Sequence, residues 1–199
     1  MTTFEIRPWS NAQRLLEILS SLSCRTGNLE GYLHQIARGV SELLAVDWSV
    51  VTLCEDGMET VMASSLDMGE HSRTYPLHGR LVGFVVASGR SLVVDDALRH
   101  PEFGRAPSGY RAYLGVPLRT PQGEVIGTIC SFHGEPRDFT EKELRVVELF
   151  AERAAVALDN YRLYRQARQF QTRLEDEVRE RTEELRTAQA QLVERERLA

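Results

Sequence analysis

Eight residues between positions 95 and 113 carry side chains suited to holding a small ligand: Asp95, Asp96, His100, Phe103, Arg105, Tyr110, Arg111 and Tyr113. Carboxylates, an imidazole and guanidinium groups supply charge and hydrogen bonds, while the rings supply an apolar wall, a donor set that fits a small organic or ionic ligand. Each also has an ordinary structural use: Asp95 or Asp96 caps the next helical turn, and Phe103 and Tyr113 fill a core. The three cysteines, Cys24, Cys54 and Cys130, are odd in number and far apart, without the close pairing of a zinc or disulfide framework. Buried free thiols are the expectation, and no metal site is assigned.

These groups sit on or beside an expected long loop, Asp95 to Gly109, which mixes Asp, Pro and Gly with scattered apolar residues and holds one turn of helix. Before it, Tyr75 to Val94 reads as a short strand, a short helix (RLVGFVVAS) closed by Gly89, and a strand SLVV. After it, AYLGVPL and VIGTICSFH are strands joined by the turn Thr120-Pro121-Gln122-Gly123. Upstream, WSVVTLC and the stretch from Met58 to Ser64 flank Glu55-Asp56-Gly57 and form a hairpin. Two amphipathic helices precede them, Ser10 to Ser23 and, after Thr26-Gly27-Asn28, a second carrying Leu29, Leu33, Ile36, Val40 and Leu44. That makes five or six strands in an α/β (α+β) fold.

From Thr140 onward there is no Pro or Gly, and Thr140-Glu141-Lys142-Glu143 has capping-box spacing, so a long helix begins there. Val147, Ala151, Ala154, Leu158 and Tyr161 alternate at 4 and 3 and should pack on the domain. Leu174, Val178, Arg181, Leu185, Ala188 and Leu192 repeat the alternation one residue out of phase, the seam of a left-handed coiled coil that predicts a parallel homodimer. Glu175 with Arg179, and Glu177 with Arg181, flank it at favourable i,i+4 spacing. The expected division is an N-terminal helix over 1–27, a globular domain over 28–164 and a coiled-coil helix over 165–199.

Hydrophobic residues at 42% and charged ones at 27% describe a globular chain, and a net charge of -5 argues against a nucleic-acid partner. The start, MTTFEIRPWSNAQRLL, lacks the pattern of a signal peptide, and no apolar run reaches the length of a membrane segment. A cytoplasmic location is the expectation.

The pattern resembles the GAF family of cytoplasmic sensor domains over about Leu15 to Tyr164. LVGFVVASGRSLVVDDA, HPEF, YLGVPL, GEVIGTI and FTEKELRVVELFAERAAVALDNYRLY carry the likeness in order. The resemblance implies a central antiparallel sheet, helices from both chain ends on one face and a small-molecule pocket on the other. The tail, RLEDEVRERTEELRTAQAQLVERERLA, resembles the helix leading into the dimerisation and phosphoacceptor domain of sensor histidine kinases, which implies a parent kinase and a response regulator as its partner. None of the five histidines lies after His133, so no autophosphorylation is expected of this stretch. A diguanylate cyclase or phosphatase parent shares such a helix.

The resemblance also brings ligand classes to compare. His133 and Gly134 stand where cyclic-nucleotide relatives resemble an Asn-Lys pattern, and Phe139 with Glu143 only partly echoes their next motif. Asp95 to Arg111 holds no cysteine, which argues against a covalent bilin. His78, His100 and His133 are conceivable haem ligands. If the first and last strands are neighbours, as the family fold implies, Cys54 and Cys130 approach each other, and a redox switch or a share in an iron–sulfur or other metal cluster is open to them. A direct enzyme role such as methionine sulfoxide reduction needs clustered reactive cysteines, so no catalytic residue is assigned. The ligand itself is not named. A dimerisation module with a vestigial pocket is the alternative reading.

Overall fold

The structure is a computed structural model that describes residues 28–69 and 73–198, with side chains described as far as 188. The expected helix at Ser10 to Ser23, and the whole of the 1–27 segment, lie outside the described residues. The chain divides into two units, Met1–Asp159 and Asn160–Ala199.

In the first unit a helix α1 (Leu29–Leu44) leads into strands β1 (Trp48–Glu55), β2 (Met58–Ser64) and β3 (Thr74–Pro76). A short helix α2 (Leu81–Ser88) follows, then β4 (Leu92–Val94), a single 3-10 turn at Pro101–Phe103, β5 (Ala112–Arg119) and β6 (Val125–His133). The last helix, α3 (Glu141–Leu198), starts in this unit. The strands form one antiparallel sheet in the order β3-β2-β1-β6-β5-β4.

Local chemistry sets the element ends. Asn28 accepts a hydrogen bond from the Gly31 amide at 2.9 Å and starts α1. The β1–β2 hairpin turns on Asp56 and Gly57, whose φ angles of 51° and 75° are the left-handed pair that matches the twist of adjoining strands. Gly89, at φ 62°, ends α2. The capping box of α3 forms in both directions, Thr140 N to Glu143 Oε2 at 2.7 Å and Glu143 N to Thr140 Oγ1 at 3.3 Å.

The sheet is covered on both faces. On one, Leu33, Ile36 and Val40 of α1 and Val147, Phe150, Ala154 and Leu158 of α3 pack against Val51, Leu114, Val116 and Ile129. Burial of each Val, Leu, Ile or Phe among them contributes roughly 1.5–3 kcal/mol. On the other, α2 and the loop before β5 cover Val50, Val61, Cys130 and Phe132. The α1 and α3 spacings anticipated this packing, except at Tyr161, which falls in the second unit and is 36% exposed.

The second unit begins at Asn160, ahead of the expected boundary at 164/165, because burial against the sheet stops at Leu158. Its helix exposes Leu174, Val178 and Leu185 at 50%, 57% and 64%. Arg181 and Ala188 are exposed as well, and Leu192 lies beyond the described side chains. Of the expected flanking pairs, Arg179 instead bonds Asp176 and Arg181 bonds Glu184, both at i,i+3.

The closest constraint in the sheet is at Gly127, where an added Cβ would overlap the Thr52 carbonyl on the neighbouring strand. Backbone cannot yield as a side-chain tip can. Gly127→Ala is expected to destabilise the domain by about 1–3 kcal/mol, read as a lowered urea midpoint with an unchanged slope.

Candidate functional site

A break in the β1–β2 ladder builds the site. The pairing runs Val51 to Ala63 and then Thr52 to Val61, so Met62 is an extra residue, a β-bulge. The bulge reverses which side chains face which side. Ala63 joins the α1/α3 core, while Val61 and Glu59 turn under α2.

Glu59 is thereby placed in the interior, 5% exposed, where its carboxylate accepts a 2.7 Å hydrogen bond from Arg80 Nη1. Burial pushes the Glu59 carboxyl above its ordinary range, and the Arg80 charge and hydrogen bond oppose that shift. Arg80 precedes the first turn of α2 and lies over the Tyr75 ring at 4.8 Å, a cation–π contact that fixes its plane.

The loop after β4 is stitched to this arginine. Arg105 N donates to Gly79 O at 2.9 Å, and Arg80 and Arg105 form a short parallel bridge. Gly104 permits the approach, since its φ is 105° and any Cβ there would strike the Arg80 backbone. Between these pieces and the sheet lies a cavity of about 110 Å3. Its walls are aromatic at Trp48, Tyr75 and Phe132, aliphatic at Val50, Val61 and Leu81, and polar at Thr52, Glu59, Arg80 and Arg105.

A ladder of small polar groups runs along the same sheet face. Thr52 and Thr128 hydroxyls are 2.7 Å apart, Thr128 reaches Cys130 Sγ at 3.1 Å, and the Tyr113 hydroxyl meets that sulfur at 3.2 Å. Gly115 makes room for the Tyr113 ring, whose hydroxyl would overlap any Cβ at that position. Burial pushes Tyr113 well above the ordinary phenol value, so the hydroxyl keeps its proton.

β1 and β6 are neighbours, as expected, but the register pairs Cys130 with Val50 and leaves Cys54 four residues along. At about 3.4 Å per residue the Cα atoms are far beyond the ~7 Å limit for a disulfide. The expected approach of Cys54 to Cys130 therefore stops short of a bond. Burial pushes both thiols up to about 12, which keeps them protonated and unreactive at neutral pH. Among the described residues no group of three His, Cys, Asp or Glu side chains could hold a metal ion.

Of the eight residues singled out by sequence, Arg105 lines this cavity, and Arg105 and Phe103 line an open groove of about 620 Å3 outside α2. The others organise the loop or the core. Asp96 is fully buried; its carboxylate accepts from the Leu98 amide at 3.1 Å and is gripped by both Nε and Nη2 of Arg111. His100 lies between Asp95 and Glu102, each at 3.1 Å, so both ring nitrogens face carboxylates and neither is free for haem iron. Phe103 meets Phe84 edge-on at 4.9 Å, Tyr110 packs on Trp48 and Phe132, and Tyr113 is core. His133 Nδ1 is 2.9 Å from Asp47, and His78 lines the outer groove.

Glu59 and Arg80 are the site residues that sequence reading passes over. The only local signal for Glu59 is an acid inside a strand-like run, METVMAS, where an exposed edge is the commoner setting.

The family model for the GAF domain matches residues 28–158. No curated protein sequence matches the chain. Among solved structures, the GAF domain of a phosphoenolpyruvate-protein phosphotransferase from Coxiella burnetii is 23% identical, with a TM-score of 0.67 over 78% of this chain and 96% of that one. The corresponding Acinetobacter domain is 21% identical, with a TM-score of 0.64 over 82% and 97%. The free methionine-R-sulfoxide reductase of Neisseria meningitidis, in complex with its substrate, is 18% identical, with a TM-score of 0.66 over 82% and 98%. At these identities the likeness is one of fold.

The loop's two charge clusters have opposite pH signatures. Hydrogen bonds from Arg111 hold the Asp96 carboxyl below the usual range, so its stabilisation is complete above ~3.9 and is lost as pH falls through the lowered value. Glu102 chiefly raises His100, whose stabilisation is complete below ~6.5 and is lost as pH rises through the raised value. Urea midpoints measured across pH should therefore show the deficit of Asp96→Asn greatest near neutrality and shrinking in acid. The deficit of His100→Asn should be greatest in mild acid and shrink on the alkaline side.

Proposed function

This chain belongs to the GAF domain family, and we propose that it is the sensory domain of a two-component sensor histidine kinase. In this reading a small molecule occupies the cavity beneath α2, and the C-terminal helix pairs in parallel with that of a second copy. The carrying observation is the cavity itself, which joins a buried carboxylate and its half-buried arginine partner to a mostly aromatic and aliphatic wall. Proteins do not ordinarily bury such charges without a use or a partner, and perturbed ionisable groups in an enclosed pocket mark binding sites.

The output assignment rests on the tail. Leu174, Val178 and Leu185 present apolar surface to water at coiled-coil spacing, and a second helix of the same sequence covers it with matched residues. Arg181 in that seam weakens the pair, which suits a helix that must change packing rather than a rigid rod. The ligand biases the two packings only by binding one domain state better than the other. A response regulator then receives the phosphoryl group from the parent kinase, in the cytoplasm. Among the described residues no helix is long and apolar enough to cross a membrane.

Two measurements test the two halves. Native mass spectrometry of the chain from its own source should show a retained small molecule. Single substitutions Leu174→Cys, Val178→Cys and Leu185→Cys should each give a disulfide-linked dimer on mild oxidation, whereas Glu175→Cys and the parent chain should not. Equal cross-linking at seam and flank positions would remove the coiled coil from the account.

A further inference from the structure

Among the described residues three charged ones line the cavity, Glu59, Arg80 and Arg105, and they do not balance. Arg80 uses Nη1 on Glu59, and the rest of its guanidinium has no acceptor among the described residues. The Arg105 guanidinium has no side-chain partner among them at all, although its backbone is held in the bridge to Arg80. Guanidinium groups stay charged under all ordinary conditions, and like charges on paired backbone positions repel. The bridge therefore sets two arginines on paired backbone positions at the cavity wall, with the Glu59 carboxylate bonded to Arg80 alone.

We infer that the ligand of this cavity is a short-chain monocarboxylate, its carboxylate held by Arg80 and Arg105 and its hydrocarbon end against Val50, Val61 and Phe132. The inference rests on reading the cavity as a ligand site and adds the ligand's chemistry. One net positive charge calls for one negative charge, and a dianion would face Glu59 with an excess. The planar fork of arginine suits a carboxylate, and the Tyr75 ring under Arg80 fixes that fork. A volume of about 110 Å3 has room for about four water-sized groups, enough for the carbons of propionate or butyrate with the carboxylate oxygens at the exposed Arg105 rim. The aromatic and aliphatic walls offer nothing to a fully hydrated inorganic anion, which would lose its water without replacement.

Isothermal titration of the full chain with butyrate, butyramide and inorganic phosphate tests this. Butyrate should bind, and butyramide and phosphate should not. Arg105→Gln alters an exposed side chain and should leave the melting temperature unchanged while weakening butyrate at least about tenfold. The double substitution Glu59→Gln with Arg80→Gln removes both charges of the pair, shortening the Arg80 side chain, and should weaken butyrate further. Arg99→Gln, outside the cavity, serves as the control and should bind butyrate normally. The inference is overturned if butyrate binds equally well to the parent and both arginine variants, if butyramide matches butyrate, or if phosphate binds with the same arginine dependence. If no probe binds while native mass spectrometry retains a neutral or cationic molecule, the carboxylate assignment is wrong and the ligand site stands. If no probe binds and nothing is retained, both fall.

Discussion

A strand buried on both faces has nowhere to put a polar side chain except against another one, and β1 and β6 live under that constraint. Val50 to Leu53 and Ile126 to Phe132 are buried throughout, with helices on one side and α2 with its loop on the other. Yet these strands carry Ser49, Thr52, Thr128 and Ser131. The antiparallel register resolves the conflict by pairing them: Ser49 opposes Ser131 with hydroxyls 3.0 Å apart, and Thr52 opposes Thr128 at 2.7 Å. An unsatisfied buried hydroxyl costs about 1–3 kcal/mol, so a one-residue slip, which would part both pairs and turn each side chain to the other face, is strongly opposed. The fixed central pair gives the outer strands a single frame to join.

The two faces spend that frame differently. The α1/α3 face is sealed by alanines and branched aliphatics, with Ala37, Ala151, Ala154 and Ala155 letting the helices lie close to the sheet. Under α2 the residues are larger, more aromatic and partly polar, and they leave space. That space persists because its rim is held from outside. The Asp96–Arg111 pair and the His100 cluster anchor the loop to itself and to the start of β5, and the Gly104 approach ties it to Arg80. Asp96 is as deeply buried as Glu59, but two hydrogen bonds from Arg111 and one from the Leu98 amide compensate its carboxylate, whereas Glu59 has the single bond from Arg80.

Signals that act over a few residues are legible in the sequence, and those that act across the sheet are not. The Asp56-Gly57 turn, Gly89 and the Thr140 capping box each specify a backbone state locally, so the order of elements and most of their ends can be read directly. The bulge at Met62 depends on the partner strand. A strict period of two would put Glu59 on the same face as Ala63, and only the shift between Val51 and Thr52 separates them. For the same reason the loop residues from Asp95 to Arg111 draw attention as ligand groups by their types, while their pairing with one another depends on how the loop closes. Asp96 illustrates this: as a cap it is readable, but its full burial against Arg111 follows from the return of the chain into β5. The strand neighbours Cys54 and Cys130 are likewise foreseeable as residents of adjacent strands, while the four-residue stagger between them is a matter of register.

Alternation along the central strands also bears on how an occupied cavity is felt elsewhere in the domain. Thr52 and Cys130 look toward α2, while Val51 and Ile129, their neighbours in sequence, look toward α1 and α3. A ligand that moved one of these strands would therefore shift side chains on both faces at once, because the interior is packed too densely to absorb the change locally. Contiguity alone does not establish coupling, which requires two discrete arrangements with different ligand affinities. In the proposed reading the cavity supplies a physical basis for two such states. Arg80 would be shared between Glu59 and a ligand beside it, and a ligand that draws on Arg80 would alter the balance that holds a desolvated carboxylate on β2. The cost of burying Glu59 then differs between empty and occupied domains, and that difference is free energy available to bias the strands on which α3 rests.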